Sequence, residues 1–152
     1  MIQKESSKKK RMILEYFEGH FGIKPGILNS FGFYAGLKGR IFLGPKKAID
    51  RPSIVSLGIL IARINGSIKP STNLFHMFGT HVKKNFVSLT KKHAVQYIHG
   101  DDLELSAAEI NEAEEGYILV KYLNFPLGCG LLKENRIKNM LPKAKRLDVK
   151  FI

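Results

Sequence analysis

The chain has 152 residues, 44% of them apolar, and a formal charge of +12, which excludes a disordered polar segment and favours polyanions among possible partners. The longest nearly apolar stretch, Ile54 to Ala62, is interrupted by Ser56 and Gly58 and is too short to cross a bilayer. Glu15 follows Met12-Ile13-Leu14 too closely for a signal-peptide core, so a cytoplasmic location is expected, and the single cysteine, Cys129, excludes an internal disulfide.

Taken in order, Ile13, Tyr16, Phe17 and Phe21 recur at helical spacing after the run Lys8-Lys9-Lys10-Arg11. Ser6 or Ser7 can cap this helix, and Gly22 with Pro25 closes it. Four cations at a helix N-terminus oppose its macrodipole, so contact with phosphate is one reason for them and a solvated terminus the other. Two apolar runs between Phe31 and Leu43 flank Gly36-Leu37-Lys38-Gly39, a hairpin signal. Ile54 to Ile64 reads as one buried strand and Asn65-Gly66 as a tight turn. Ser71 or Thr72 then caps a short helix through Leu74, Phe75 and Phe78, with Gly79 at its end.

A boundary is expected near residues 79 to 84, giving an accessory module at 1–80 and a second module at 81–152. No Pro-, Ser- or Gly-rich linker separates them, so they should pack together. The second module starts with a strand from Phe86 to Leu89. Thr90 caps a helix that turns Ala94, Tyr97 and Ile98 inward and ends at Gly100. Residues 101–116 read as a connection holding a short strand from Leu103 to Leu105 and an acidic loop. Tyr117 to Tyr122 is the next strand, ended by Pro126. At Gly128 and Gly130 the chain re-enters the sheet, where glycine allows positive φ or a close approach by another backbone or a ligand, Glu134-Asn135 turns it back, and Leu147 to Ile152 supplies a last strand. The fold class is α+β: a small N-terminal α+β module packed on a C-terminal mixed β-barrel.

Charge is unevenly distributed. Residues 101–115 carry seven carboxylates and no Lys or Arg, leaving 25 basic against six acidic side chains elsewhere, a balance of +19. The cations are scattered among sheet segments rather than laid on one amphipathic helix, which argues against a membrane surface. Catalytic signals are few. His20, His76, His81, His93 and His99 contain no pair at the i, i+4 spacing of a helical metal site, Cys129 lies between glycines with no base placed by sequence, and Gly128-Cys129-Gly130 lacks the Lys-Ser/Thr of a phosphate loop. No metal, cofactor or catalytic residue is assigned.

The strand at 117–122, the Phe125-Pro-Leu-Gly-Cys-Gly130 turn, the hairpin and Leu141-Pro142-Lys143 resemble the C-terminal PUA-type RNA-binding domain of the Sun/Fmu-type RNA cytosine-5 methyltransferases. Phe21-Gly22-Ile23, Lys69-Pro70-Ser71-Thr72, Phe78-Gly79 and Lys84-Asn85-Phe86-Val87 extend the likeness upstream, into the accessory pre-PUA region. Nothing here corresponds to the S-adenosylmethionine-binding domain of those enzymes, so a non-enzymatic RNA-binding protein is expected. The resemblance implies RNA along a groove beside the first helix of the barrel. Candidate RNA-binding residues are Lys69, Lys83, Lys84, Lys91, Lys92, Phe125, Arg136, Lys138, Asn139, Lys143, Lys145 and Arg146. The cations would meet phosphates, Asn139 a base edge, and Phe125 an unpaired base. The expected partner is tRNA or rRNA, in RNA modification or ribosome biogenesis; pre-ribosome assembly factors of the Nip type have a similar two-module arrangement. Alternatives are the RNA-binding subunit of a split methyltransferase, with a separately encoded catalytic chain, and an adaptor that docks a ribosome-assembly or other basic protein on the acidic 101–115 loop.

Overall fold

The N-terminal helix forms because its apolar residues share one stripe. In the computed structural model, which describes residues 3–4, 7–47 and 58–147, α1 (Ser7–Tyr16) runs on through a wider π-type turn at Phe17–Phe21, and Ile13, Phe17 and Phe21 are fully buried. Gly22 stops it at φ 73°, its N–H bonding back to the Glu18 carbonyl at 2.9 Å. Ser6, one of the two expected caps, lies outside the described residues. Pro25 begins a helix as well as ending the previous one: α2 (Pro25–Asn29) was not expected, and proline at a first helical position satisfies the same sequence signal.

The expected hairpin is present as β2 (Gly32–Ala35) and β3 (Arg40–Gly44), turned at Leu37–Gly39 with Lys38 and Gly39 at positive φ. Strand β4 (Ile59–Asn65) corresponds to the later part of the expected Ile54–Ile64 strand, whose residues 54–57 lie outside the described residues. The Asn65-Gly66 turn leads into β5 (Ser67–Pro70), a strand the sequence pattern does not predict. Pro70 is tolerated because β5 is an edge strand. With the short β1 (Gln3–Lys4) the sheet is antiparallel, in the order β1-β2-β3-β4-β5. Its inner face, including Phe33, Ile41, Leu43 and Ala62, meets α1 residues and α3 (Thr72–Phe78) in one apolar cluster. Ser71 caps α3 as expected, accepting from the Leu74 N–H at 3.2 Å. Gly79 does not end α3 in a left-handed turn: its φ is −59° and the chain continues as a 3-10 turn to His81.

The second sheet runs β6 (Phe86–Leu89), β8 (Gly116–Tyr122), β9 (Phe125–Lys133), β10 (Arg136–Asn139), β7 (Leu103–Glu104), with β6 parallel to β8 and the other pairs antiparallel. The helix expected between β6 and β7 (Leu103–Glu104) is α4 (Lys91–His99), capped by Thr90 and closed by Gly100 at φ 110°. The stretch read as an acidic loop holds a further helix, α5 (Ala107–Ile110), closed by a reciprocal capping box between Ser106 and Glu109. Pro126 does not end β8. The chain turns earlier, at Leu123-Asn124, and Pro126 is the second residue of β9 (Phe125–Lys133), opposite Lys121 at a register shift. Glu134 and Asn135, both at positive φ, form the expected turn into β10 (Arg136–Asn139). Of the expected last strand, residues 148–152 lie outside the described residues, and Leu147 donates its N–H to the Ile98 carbonyl at 2.8 Å.

The two sheets are sewn together. Leu119 and Cys129 belong to the N-terminal apolar cluster, Thr72 Oγ1 accepts from the Cys129 N–H at 3.3 Å, and His76 Nε2 donates to the Leu127 carbonyl at 2.7 Å. A second seam centres on Asn85, buried at φ 56°. Its Nδ2 donates to the His20 carbonyl at 2.6 Å, and its Oδ1 accepts from the Glu114 N–H at 2.8 Å. His20 Nε2 in turn donates to the Tyr117 carbonyl at 2.7 Å.

Candidate nucleic-acid interface

The half-barrel is built around two close approaches that only glycine permits. A Cβ on Gly130 would sit 2.6 Å from Ile137 Cγ2, and one on Gly128 would sit 2.6 Å from the Tyr97 hydroxyl. That fully buried hydroxyl donates to the Cys129 carbonyl at 2.6 Å, which locks α4 onto β9. Burial pushes the Cys129 thiol up to about 12, against a smaller downward pull from the Lys69 charge. The thiol is therefore protonated at neutral pH, sealed from solvent and unsuited to nucleophilic attack. Among the described residues no group of three His, Cys, Asp or Glu side chains could hold a metal ion.

On this frame the expected cations occupy three places. Lys83 and Lys84 are exposed on the segment before β6, where with Asn85, Phe86 and residues 111–114 they line a cleft of ≈ 280 Å³. Lys91 and Lys92 are exposed in the first turn of α4, where positive charge opposes the helix macrodipole and helix stability gives no reason for it. The third group lies at the barrel exit. Arg136 and Lys138 project from one face of β10 while Ile137 and Asn139 are buried on the other, and Lys143 and Lys145 are exposed on the 3-10 turn that follows. Arg136 faces Glu104 at 3.7 Å across an exposed pair that contributes little.

Three expected residues stand apart. Asn139 is buried and fully engaged: Nδ2 donates to the Tyr97 and Asp101 carbonyls at 2.7 and 2.9 Å, and Oδ1 accepts from the Leu141 N–H at 2.9 Å. It holds the barrel exit to the end of α4, so no donor remains to read a base edge. Arg146 is half-buried, donating from Nε to the Leu141 carbonyl at 3.1 Å. Lys69 lies on β5 of the other sheet, near enough to β9 for its charge to act on the Cys129 thiol. Phe125, by contrast, is 67% exposed at the β8–β9 turn, near the exposed Leu123.

Sequence reading missed two cations on the barrel. Lys133 faces Arg136 directly across the β9–β10 ladder, and Lys121 places its ammonium 4.6 Å from the centre of the Phe86 ring. Alternation along the strands could have found both. The acidic segment also changes meaning. Asp102 accepts from the Asn139 N–H, Glu115 from the Glu134 N–H, and Glu109 caps α5 and meets His93 at 2.8 Å. These three carboxylates act as ties within the barrel.

A mixed half-barrel with a capped helix on one side and basic residues at its rim is the architecture of a PUA-type domain. Residues 84–147 match the family model described as the PUA domain of methyltransferase RsmF. The domain class points to RNA as the partner. No curated protein matches the chain. Among the described residues no helix is long and apolar enough to cross a membrane.

Proposed function

We propose that this protein binds RNA without transforming it, in tRNA or rRNA modification or in ribosome biogenesis in the cytoplasm, with residues 1–80 as an accessory domain and 81–152 as the RNA-binding domain. The observation that carries the reading is the PUA match over 84–147, on a surface where Lys83, Lys84, Lys91, Lys92, Lys138, Lys143 and Lys145 are all exposed. Cations on two sides of a rigid barrel suit a phosphate backbone, which fixes register and orientation, while an exposed aromatic such as Phe125 suits a splayed base. Crosslinking the tagged protein to RNA in its own cells and sequencing the attached RNA tests this. Reads on tRNA or rRNA are expected, and recovery at the background of an untagged control would refute the reading.

A second reading, the RNA-binding subunit of a split methyltransferase, is favoured by the match to a methyltransferase's PUA domain. It requires that a methyltransferase chain purify with the tagged protein and that the complex transfer a methyl group to RNA. A preparation free of both would remove it.

A further inference from the structure

The outward face of the N-terminal sheet carries a row of cations that folding does not explain. In the strand register Arg40 on β3 lies directly opposite Arg63 on β4, and Arg63 directly opposite Lys69 on β5. Directly paired residues share a face, here the one opposite Ile41, Ala62 and Pro70, and the three cations are half-buried on it. Strands are ~4.8 Å apart, and like charges set opposite one another destabilise a sheet. Among the described residues none of the three is paired with a carboxylate, and Arg40 Nε is buried with no hydrogen-bond partner. Tyr34 and Phe42, facing each other on β2 and β3, continue the same face, with Tyr34 buried and its hydroxyl donating to the Pro45 carbonyl.

Two guanidinium groups and an ammonium set side by side without a carboxylate are what a bound oxyanion would offset, since a guanidinium presents a planar fork that matches a phosphate. We propose that Arg40, Arg63 and Lys69 form a second RNA-contact site, which holds two or three backbone phosphates on the accessory sheet. This rests on the RNA-binding reading above but uses a different surface from the barrel rim. The row sets charges across three adjacent strands, so it is suited to an extended polyanion crossing the sheet rather than to a compact anion. Because the row is self-repulsive, it costs the folded protein stability that RNA returns on binding.

The test uses the full chain with a fluorescent single-stranded RNA, titrated at several salt concentrations, comparing wild type, Arg63→Gln/Lys69→Gln, and a barrel variant with Lys83, Lys84, Lys91 and Lys92 all changed to Gln. Lys69→Gln alone, on an edge strand, serves as the milder variant. The row variants should melt no lower than wild type in low salt, bind RNA about tenfold more weakly at 0.15 M salt, and lose about 1.5 from the slope of log K against log salt for the double variant. In wild type, phosphate should raise the melting temperature more than chloride at matched ionic strength, and the double variant should lose that difference. Unchanged RNA affinity and slope in both row variants, with the barrel variant impaired, would overturn the second site and leave the barrel reading intact. Loss confined to the row variants would support the site and overturn the barrel reading instead.

Discussion

Asn139 shows how a residue type can suggest one role and its surroundings assign another. An asparagine in a basic exit segment reads as a base contact, yet its amide is spent on the Tyr97 and Asp101 carbonyls and the Leu141 N–H. Asn139→Ala leaves these buried groups unpaired and should cost about 3 kcal/mol in chemical denaturation; a base-reading role would instead weaken RNA binding at unchanged stability. Gly130→Ala forces a methyl against Ile137 and Val120 and should cost about 1–3 kcal/mol. Glu109 gives a pH dependence of known sign. Partial burial favours its neutral form, but bonds from the Ser106 N–H and from His93 outweigh this and hold its carboxyl below the ordinary value of 4.5. A lowered folded value means that its stabilisation is complete above the unfolded value and is lost as pH falls through the lower, folded one. Wild type should therefore lose more stability than Glu109→Gln in acid titrations below pH 4.5, as read by the thermal midpoint.

At the scale of elements, the hairpin at 122–125 explains the largest misreading. Leu123 holds φ 54° and is 65% exposed, a turn position that ordinarily selects Gly or Asn. With leucine there, the sequence carried no turn signal, and Pro126 took its place in the reading. Leu123→Gly should stabilise the protein by about 0.5–1 kcal/mol by relieving this conformation, measured by denaturation. The caps were legible in the sequence: the Ser71 and Thr90 hydroxyls and the left-handed Gly100 backbone all stand where the sequence placed them. The Ser106-x-x-Glu109 box was equally visible as a pattern but lay inside a segment judged by its charge. Strand β5 was hidden by Pro70, which only its edge position accommodates. For the candidate site, the exposed lysines of the α4 start and the barrel exit were readable from sequence. The Arg40–Arg63–Lys69 row was not, because cross-strand register brings together residues from three separate segments.

At the scale of the molecule, the two sheets act as one body. Leu119 and Cys129 complete the N-terminal cluster, Gly79 lies against Pro126, and Asn85 ties the end of the first helical segment to the acidic segment. Unfolding should therefore be a single cooperative transition, with tyrosine fluorescence and far-ultraviolet circular dichroism giving coincident curves. Asn85→Ala, which removes both seam bonds and strains a backbone at φ 56°, should lower the midpoint for both probes together. Rigidity of this kind keeps the cations of both sheets at fixed separations, which a long polyanion can exploit. The most direct test is the salt dependence of RNA binding by the intact chain. With about five phosphates neutralised at the barrel alone, log K should fall against log salt with a slope of roughly −3.5 to −4.5, and more steeply if the accessory sheet also engages. Binding that is absent, or that does not change with salt, would contradict RNA recognition through these basic surfaces.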